Sequence, residues 1–298
     1  RITDQLCAGT VPDQVCYGNS LLDIEPQPGF GPFKFDQAGD IVEVTGLRSL
    51  RVSAMDTLTG DWGVALMQVQ ANLPGTLSVQ DVTFLIMGDT HIENRVPGLI
   101  PVEVNVAAVG NVNIRQAPDL EAFVMGTLAS GQIVTARGRL ADNSWLYVEL
   151  PDHQSTGWVY GPSMTSQTGV NQLNVVEPET AYYGPMQAFY LETNDDDEPE
   201  CATAPKDGLM IQTSEGVAEV NLWINEVKIR LGSTAFIQAQ RSGQMTVSML
   251  EGEVHVEAQG VEQSASAGSE LTIPMDQNLA PSGPPNPPSN LSDTSLQN

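Results

Sequence analysis

Short apolar runs bounded by turn residues recur along nearly the whole chain, and no segment sustains a helical repeat. Residues 227–231 show the pattern most plainly. Val227, Ile229 and Leu231 alternate with Lys228 and Arg230, the period of two that turns one face of a strand inward. Runs at 208–213, 217–224, 235–239, 245–250, 253–258 and 270–273 continue this ladder, with turn signals at Asn225-Glu226, Gly232-Ser233, Ser242-Gly243, Glu251-Gly252 and Ala267-Gly268. Upstream, 40–44, 47–54, 62–73 and 82–87 read as strands. Within 47–54, the set Leu47, Ser49, Arg51 and Ser53 alternates against Arg48, Leu50, Val52 and Ala54. Between these regions, 122–128, 132–139 and 145–150, and a last run opening at Gly157, predict the strands of a small barrel.

The fold class is therefore all-β, with three small β-units and an extended tail. The expected division is an N-terminal β-sandwich over 1–100, a barrel over 101–166, a connection over 167–207, and a β-sandwich or roll over 208–275. Strands at 172–176 and 187–191 are expected to form a hairpin within the connection. The tail, 276–298, is rich in Pro, Ser and Asn and predicts an extended or disordered linker. Its Pro281/Pro284 and Pro285/Pro288 pairs have PxxP spacing, but a linker is the ordinary reading.

The middle segment, 104–166, resembles a bacterial SH3-like domain. The resemblance rests on Asn113-Ile114-Arg115 followed by Pro118, on Gly126-Thr127-Leu128 with Gly131, on Trp145 with Val148, and on Gly157-Trp158-Val159. It implies a five-stranded barrel-like fold and a binding or targeting role, often at the cell envelope, rather than catalysis. One departure is the polar turn over 151–156, which carries no evident recognition residue. Residues 208–275 resemble a FecR-type domain, the β-rich module of some bacterial envelope sensors. That resemblance rests on Leu231-Gly232-Ser233-Thr234-Ala235, on Leu250-Glu251-Gly252, and on Gly268 before Leu271. The sensor role is not carried over, because no run approaches the length of a membrane-spanning helix.

Charge narrows the partners. Twelve basic residues stand against 37 acidic ones, a formal net charge of -25. Such a chain repels a phosphate backbone and an anionic membrane, so nucleic-acid binding is disfavoured. The chain starts at Arg1 without methionine, which fits either a mature form cut from a signal or anchor segment or an arbitrary boundary of the sequence, and the first of these would make the chain extracytoplasmic. Cys7 and Cys16 flank a short polar loop and are expected to form a local disulfide. Cys201 is left over, and the sequence leaves its pairing open.

Candidate chemistry is sparse. The histidines His91, His153 and His255 fall in three different units, and none has a metal-site spacing. No nucleophile elbow, P-loop or dinucleotide fingerprint occurs, so no cofactor is expected. The cluster Asp195, Asp196 and Asp197, with Glu192, Glu198 and Glu200, is a candidate calcium loop. It lacks the spacing of an EF-hand, and a solvated charged loop is the ordinary reading. For binding, Asp142, Asn143, Tyr147 and Tyr160 form a candidate sugar- or peptide-stacking set, against the ordinary reading of a barrel edge.

The leading expectation is a non-enzymatic secreted bacterial surface protein, a structural or assembly subunit acting through protein–protein contacts. An envelope-binding or adhesion module recognising cell-wall glycan or peptide is the alternative. A β-sandwich hydrolase comes third, because paired carboxylates from distant strands leave no sequence signature.

Overall fold

A computed structural model describes residues 6–19, 22–56, 58–71, 80–96, 103–150, 156–166, 169–178, 183–194, 206–213 and 219–291. It divides into two units, Arg1–Gly98 together with Tyr183–Asn298, and Leu99–Tyr182. The first segment supplies β1 (Gln14–Asn19), β2 (Leu22–Pro26), β3 (Ile41–Glu43), β4 (Leu47–Val52), β5 (Val64–Ala71), β6 (Gln80–Met87) and β7 (Thr90–Asn94). The middle unit holds β8 (Val104–Ala108), β9 (Val112–Arg115), β10 (Val124–Leu128), β11 (Ile133–Arg139), β12 (Trp145–Glu149), β13 (Thr156–Tyr160) and β14 (Met164–Ser166). The last segment adds β15 (Ala188–Thr193), β16 (Gly208–Thr213), β17 (Val220–Ile224), β18 (Val227–Leu231) and β19 (Thr234–Ala239). It continues with β20 (Gln244–Glu251), β21 (Glu253–Ala258), β22 (Val261–Ser266), β23 (Ser269–Pro274) and β24 (Ser289–Asn290).

The all-β expectation holds, but the first and last segments share their sheets. One nine-stranded sheet runs β24-β23-β20-β19-β16-β6-β5-β1-β3, and an eight-stranded sheet runs β2-β4-β7-β15-β17-β18-β21-β22. The seam of the first is antiparallel pairing of β6 with β16, from Val82 opposite Thr213 to Met87 opposite Gly208. The seam of the second is β7 against β15, from Thr90 opposite Thr193 to Asn94 opposite Phe189. One core crosses both seams, with Phe84, Ile86 and Ile92 from the first segment against Phe189, Leu209 and Ile211 from the last. The units read as 1–100 and 208–275 are thus two parts of one sandwich, and the 101–166 unit is an insertion in its chain. Each half alone would leave a sheet edge and half a core open to water.

Two local expectations change. The hairpin of 172–176 with 187–191 does not form, because 170–172 is a 3₁₀ turn and β15 pairs with β7 and β17 instead. The strict alternation of 47–54 also breaks. Opposite β2 the register steps from Ser49–Glu25 to Leu47–Pro26, leaving Arg48 as the extra residue of a bulge. That bulge lets Leu47 turn into the core while Arg48 stays exposed. Cys7 and Cys16 form the expected disulfide, tying the segment before β1 to that strand. Cys201 lies outside the described residues.

Two devices complete the sandwich. The β17–β18 turn has positive φ at both Asn225 (53°) and Glu226 (62°), the geometry of a tight two-residue hairpin. The fully buried Asn225 side chain accepts a hydrogen bond from Leu191 N–H (2.7 Å) and donates one to Leu191 C=O (2.9 Å). It thereby serves β15 as a strand neighbour would, where the parallel β15–β17 pairing covers only Ala188 and Phe189. The second device is the described part of the Pro-rich tail, 276–291, which is a strap rather than a linker. The Asp276 carboxylate accepts the N–H groups of Asn278 (2.7 Å) and Ala280 (2.9 Å), turning the chain back on itself. Ser282 and Asn286 then donate N–H bonds to the carbonyls of Pro274 and Thr272 in β23, and Leu291 donates to Gly268 O just before that strand. Pro281, Pro284, Pro285, Pro287 and Pro288 lack an N–H and fit here because none of them falls at the donating positions 282, 286 and 291.

Replacing Asn225 with Ala leaves both Leu191 groups buried without their partner, so urea denaturation should show a loss of about 1–3 kcal/mol. A fragment spanning 206–291 alone should lack a cooperative thermal transition by circular dichroism. A sharp transition in that fragment would mean that it is a domain by itself.

Candidate binding surface

The inserted unit is one seven-stranded sheet, ordered β10-β9-β13-β12-β11-β8-β14 and wrapped around its own core. Val106, Ile114, Leu128, Ala136, Val148 and Val159 fill that core. Closure depends on β13 crossing β9, where Trp158 lies opposite Arg115. Gly157 makes this crossing possible, since a Cβ there would sit 2.6 Å from Ile114 Cγ2 and 3.1 Å from Arg115 O. The Gly157-Trp158-Val159 signature is therefore a packing requirement.

Four aromatic side chains stand on one face of β12 and β13. Trp145 is opposite Tyr160, and Tyr147 is opposite Trp158. Their ring centroids are 5.5 and 5.1 Å apart. Trp145 and Trp158 are buried with Val176 in a second, smaller core, where Leu140 and Tyr147 also pack. Val176 is held there by parallel bridging of its neighbour Val175 to Arg139. The Trp158 indole Nε1–H is buried and has no hydrogen-bond partner among the described residues.

The predicted set Asp142, Asn143, Tyr147 and Tyr160 is brought together only in part. Gly161 N–H bonds to Ser144 O, which places Tyr160 at the 141–144 turn beside Asp142 and Asn143. Tyr160 is 39% exposed. Tyr147 is half-buried, its ring on Trp158 and its hydroxyl paired with the Thr156 hydroxyl. Asn143 has φ of 60° and donates its side-chain amide to Asn171 Oδ1 (2.8 Å). Asp142 accepts from the hydroxyl (2.6 Å) and the N–H (2.9 Å) of Ser144. These bonds favour the carboxylate and hold it below its ordinary pKa, the hydroxyl contributing most.

The candidate calcium ligands Asp195, Asp196 and Asp197 lie outside the described residues, as does His153. Among the described residues no group of three or more His, Cys, Asp or Glu side chains is arranged to hold a metal. A cleft of about 240 Å³ on the sandwich is lined by His91, Glu93, Tyr190, Glu192, Arg241 and Asn278, with Leu279 beneath. Both oxygens of Glu192 are engaged by the Arg241 guanidinium, at 2.6 and 2.8 Å, and Arg241 also donates to Gln277 O. A carboxylate gripped by such a fork is poorly placed to carry protons for hydrolysis. His255 lies among Glu219, Glu253 and Glu262, at 3.4–3.9 Å, on the outer face of the eight-stranded sheet.

Sequence reasoning passed over one surface. Leu120, Phe123, Val124 and Met125 are all exposed. The signal was present, since three consecutive apolar residues at 123–125 cannot all face the core of a strand with period two.

Residues 110–164 match the family model of the bacterial SH3 domain. This segment is the bacterial SH3 domain of the chain, and domains of that kind bind proteins or the cell wall. It spans β9 to β13, the five strands expected from the resemblance, while β8 and β14 extend the sheet. The match does not reach 208–275, read above as FecR-like. No curated protein and no solved structure matches the chain.

The Asp142 carboxyl should titrate below the ordinary aspartate range by carbon-detected NMR, and Ser144→Ala should move its midpoint upward. Because the folded-state pKa is lowered, the linked stability is present above the ordinary value and is lost as pH falls through the lowered one. An unmoved midpoint in Ser144→Ala would remove the hydroxyl as the cause.

Proposed function

We propose that this is a non-enzymatic, secreted bacterial surface protein that works as a structural or assembly subunit through protein–protein contacts. The observation that carries this reading is the bacterial SH3 domain matched over residues 110–164, a binding module inserted in the chain of a large sandwich. Three features support it. The Cys7–Cys16 disulfide suits an oxidising compartment. No helix among the described residues is long and apolar enough to cross a membrane. In the sandwich cleft, the Glu192 carboxylate is committed to Arg241. The strongly acidic surface favours cationic partners over nucleic acid. A second reading, recognition of cell-wall glycan or peptide, is supported by the exposed ring of Tyr160 beside Asp142 and Asn143.

Chemical cross-linking of the full chain on the envelope of the producing cells should yield discrete protein adducts that survive digestion of the cell-wall glycan. Retention that disappears with the glycan, and falls in Tyr160→Ala, would favour the second reading. A chain that is monomeric, uncross-linked and unretained would reject both.

A further inference from the structure

β10 ends the seven-stranded sheet and pairs with β9 alone among the described residues. Its outer row of backbone groups is therefore available to another strand. The approach to this edge is apolar. Phe123 is 72% exposed, Leu120 60%, Val124 39% and Met125 38%. Single exposed apolar side chains are ordinary, but a contiguous set on a sheet edge marks an interaction surface. Two of the usual guards are missing, since 120–128 contains neither lysine nor proline. Its irregularity is a bulge, in which Met125 has no cross-strand partner between the Val124–Arg115 and Gly126–Ile114 pairs.

Charge selects the occupant. The charged residues of 116–128 are Asp119 and Glu121, both acidic. Arg115 opposite Val124 is occupied, donating to Ala122 O at 2.7 Å and so bracing the loop that presents Phe123. Arg137 and Arg139 are also engaged, the first by Glu103 and Glu149 and the second by the carbonyls of Leu140, Ala141 and Leu173. A second copy of this chain would bring the same acidic edge and a net charge of -25 to a like-charged surface.

We propose that the open edge of β10 docks an extended segment of a different protein, one that alternates apolar and basic residues and adds to the sheet as a strand. Apolar side chains of the added strand cover Phe123 and Met125, its lysines or arginines meet Asp119 and Glu121, and its backbone pairs with the outer row of β10. This inference rests on the reading of the chain as a protein-binding subunit and names the surface and the partner chemistry.

The test uses the full chain and fluorescence anisotropy with three labelled peptides of equal length. One alternates Val and Lys, one alternates Val and Glu, and one alternates Ser and Lys. The Val/Lys peptide should bind at least about tenfold more tightly than either control, and Phe123→Lys should weaken it by a similar factor. Glu121→Lys should weaken it by less and flatten its salt dependence. Both substitutions fall on exposed residues, and an unchanged far-ultraviolet spectrum confirms that each variant is folded. Equal binding of the Val/Glu peptide, no binding of the Val/Lys peptide at millimolar concentration, or an unchanged affinity in Phe123→Lys would overturn the proposal. So would sedimentation showing self-association that Phe123→Lys abolishes, which would give the edge to a second copy. Loss of the peptide result with envelope protein adducts intact would remove this surface and leave the protein-binding reading standing.

Discussion

The pairing of β6 with β16 is the contact on which the sandwich depends. It joins residues 82–87 to residues 208–213 across the whole inserted domain. Without it the nine-stranded sheet falls into two sheets with bare edges, and the core around Phe84, Ile86, Leu209 and Ile211 opens. Such a contact has a large loop-closure cost that grows only slowly with the length of the loop, so a chain can tolerate a folded insertion there. Because the inserted domain has its own core, the closure resembles a link through a preformed body more than through a free coil. The β7–β15 seam beside it makes the joining cooperative, since both sheets must close at once around one interior.

Once the seams are fixed, the remaining problem is what to do with backbone groups that have no strand beside them. The protein uses two solutions, and a bulge settles a separate conflict in β4. A buried asparagine, Asn225, supplies β15 with an acceptor and a donor where strand pairing stops. A proline-rich strap covers β23, and its prolines make that segment a poor template for further strands. The bulge at Arg48 reconciles a charged residue with a strand whose neighbours are buried. Strands β2, β3, β14 and β22 also end their sheets among the described residues, and what singles out β10 is the run of exposed apolar side chains at Leu120, Phe123, Val124 and Met125. The protein-binding reading and the edge therefore meet in the same module, while the sandwich supplies stability and a strongly acidic surface.

Much was legible in the sequence where the physics is local. The alternation of Val227, Ile229 and Leu231 with Lys228 and Arg230 is realised in β18, and the Asn225-Glu226 turn needed only the positive φ that its hairpin requires. The Cys7–Cys16 loop closed as expected. The signature residues from Asn113 to Val159 marked the five strands of the SH3 domain, because glycines such as Gly157 are fixed by clashes that any other residue would make. Less was legible in the candidate site. Tyr160 is displayed at the 141–144 turn, but Tyr147 is drawn into the second core by Trp158 and Val176. Nothing in the sequence announced that 173–176 would fold back over that aromatic face.

The sequence by itself determined most of the strands and their inward faces, with 172–176 and 47–54 as exceptions, most of the turns between them and the identity of the inserted domain. These follow from side-chain periodicity and from backbone conformations that few residues adopt. Only the tertiary structure decided which strands are neighbours. It made one sandwich of the two outer segments, turned an apparent linker into an edge strap, and left β10 paired on one side only among the described residues. Strand pairing is set by complementarity between distant edges and by the burial of a shared core, and neither leaves a mark within a window of neighbouring residues.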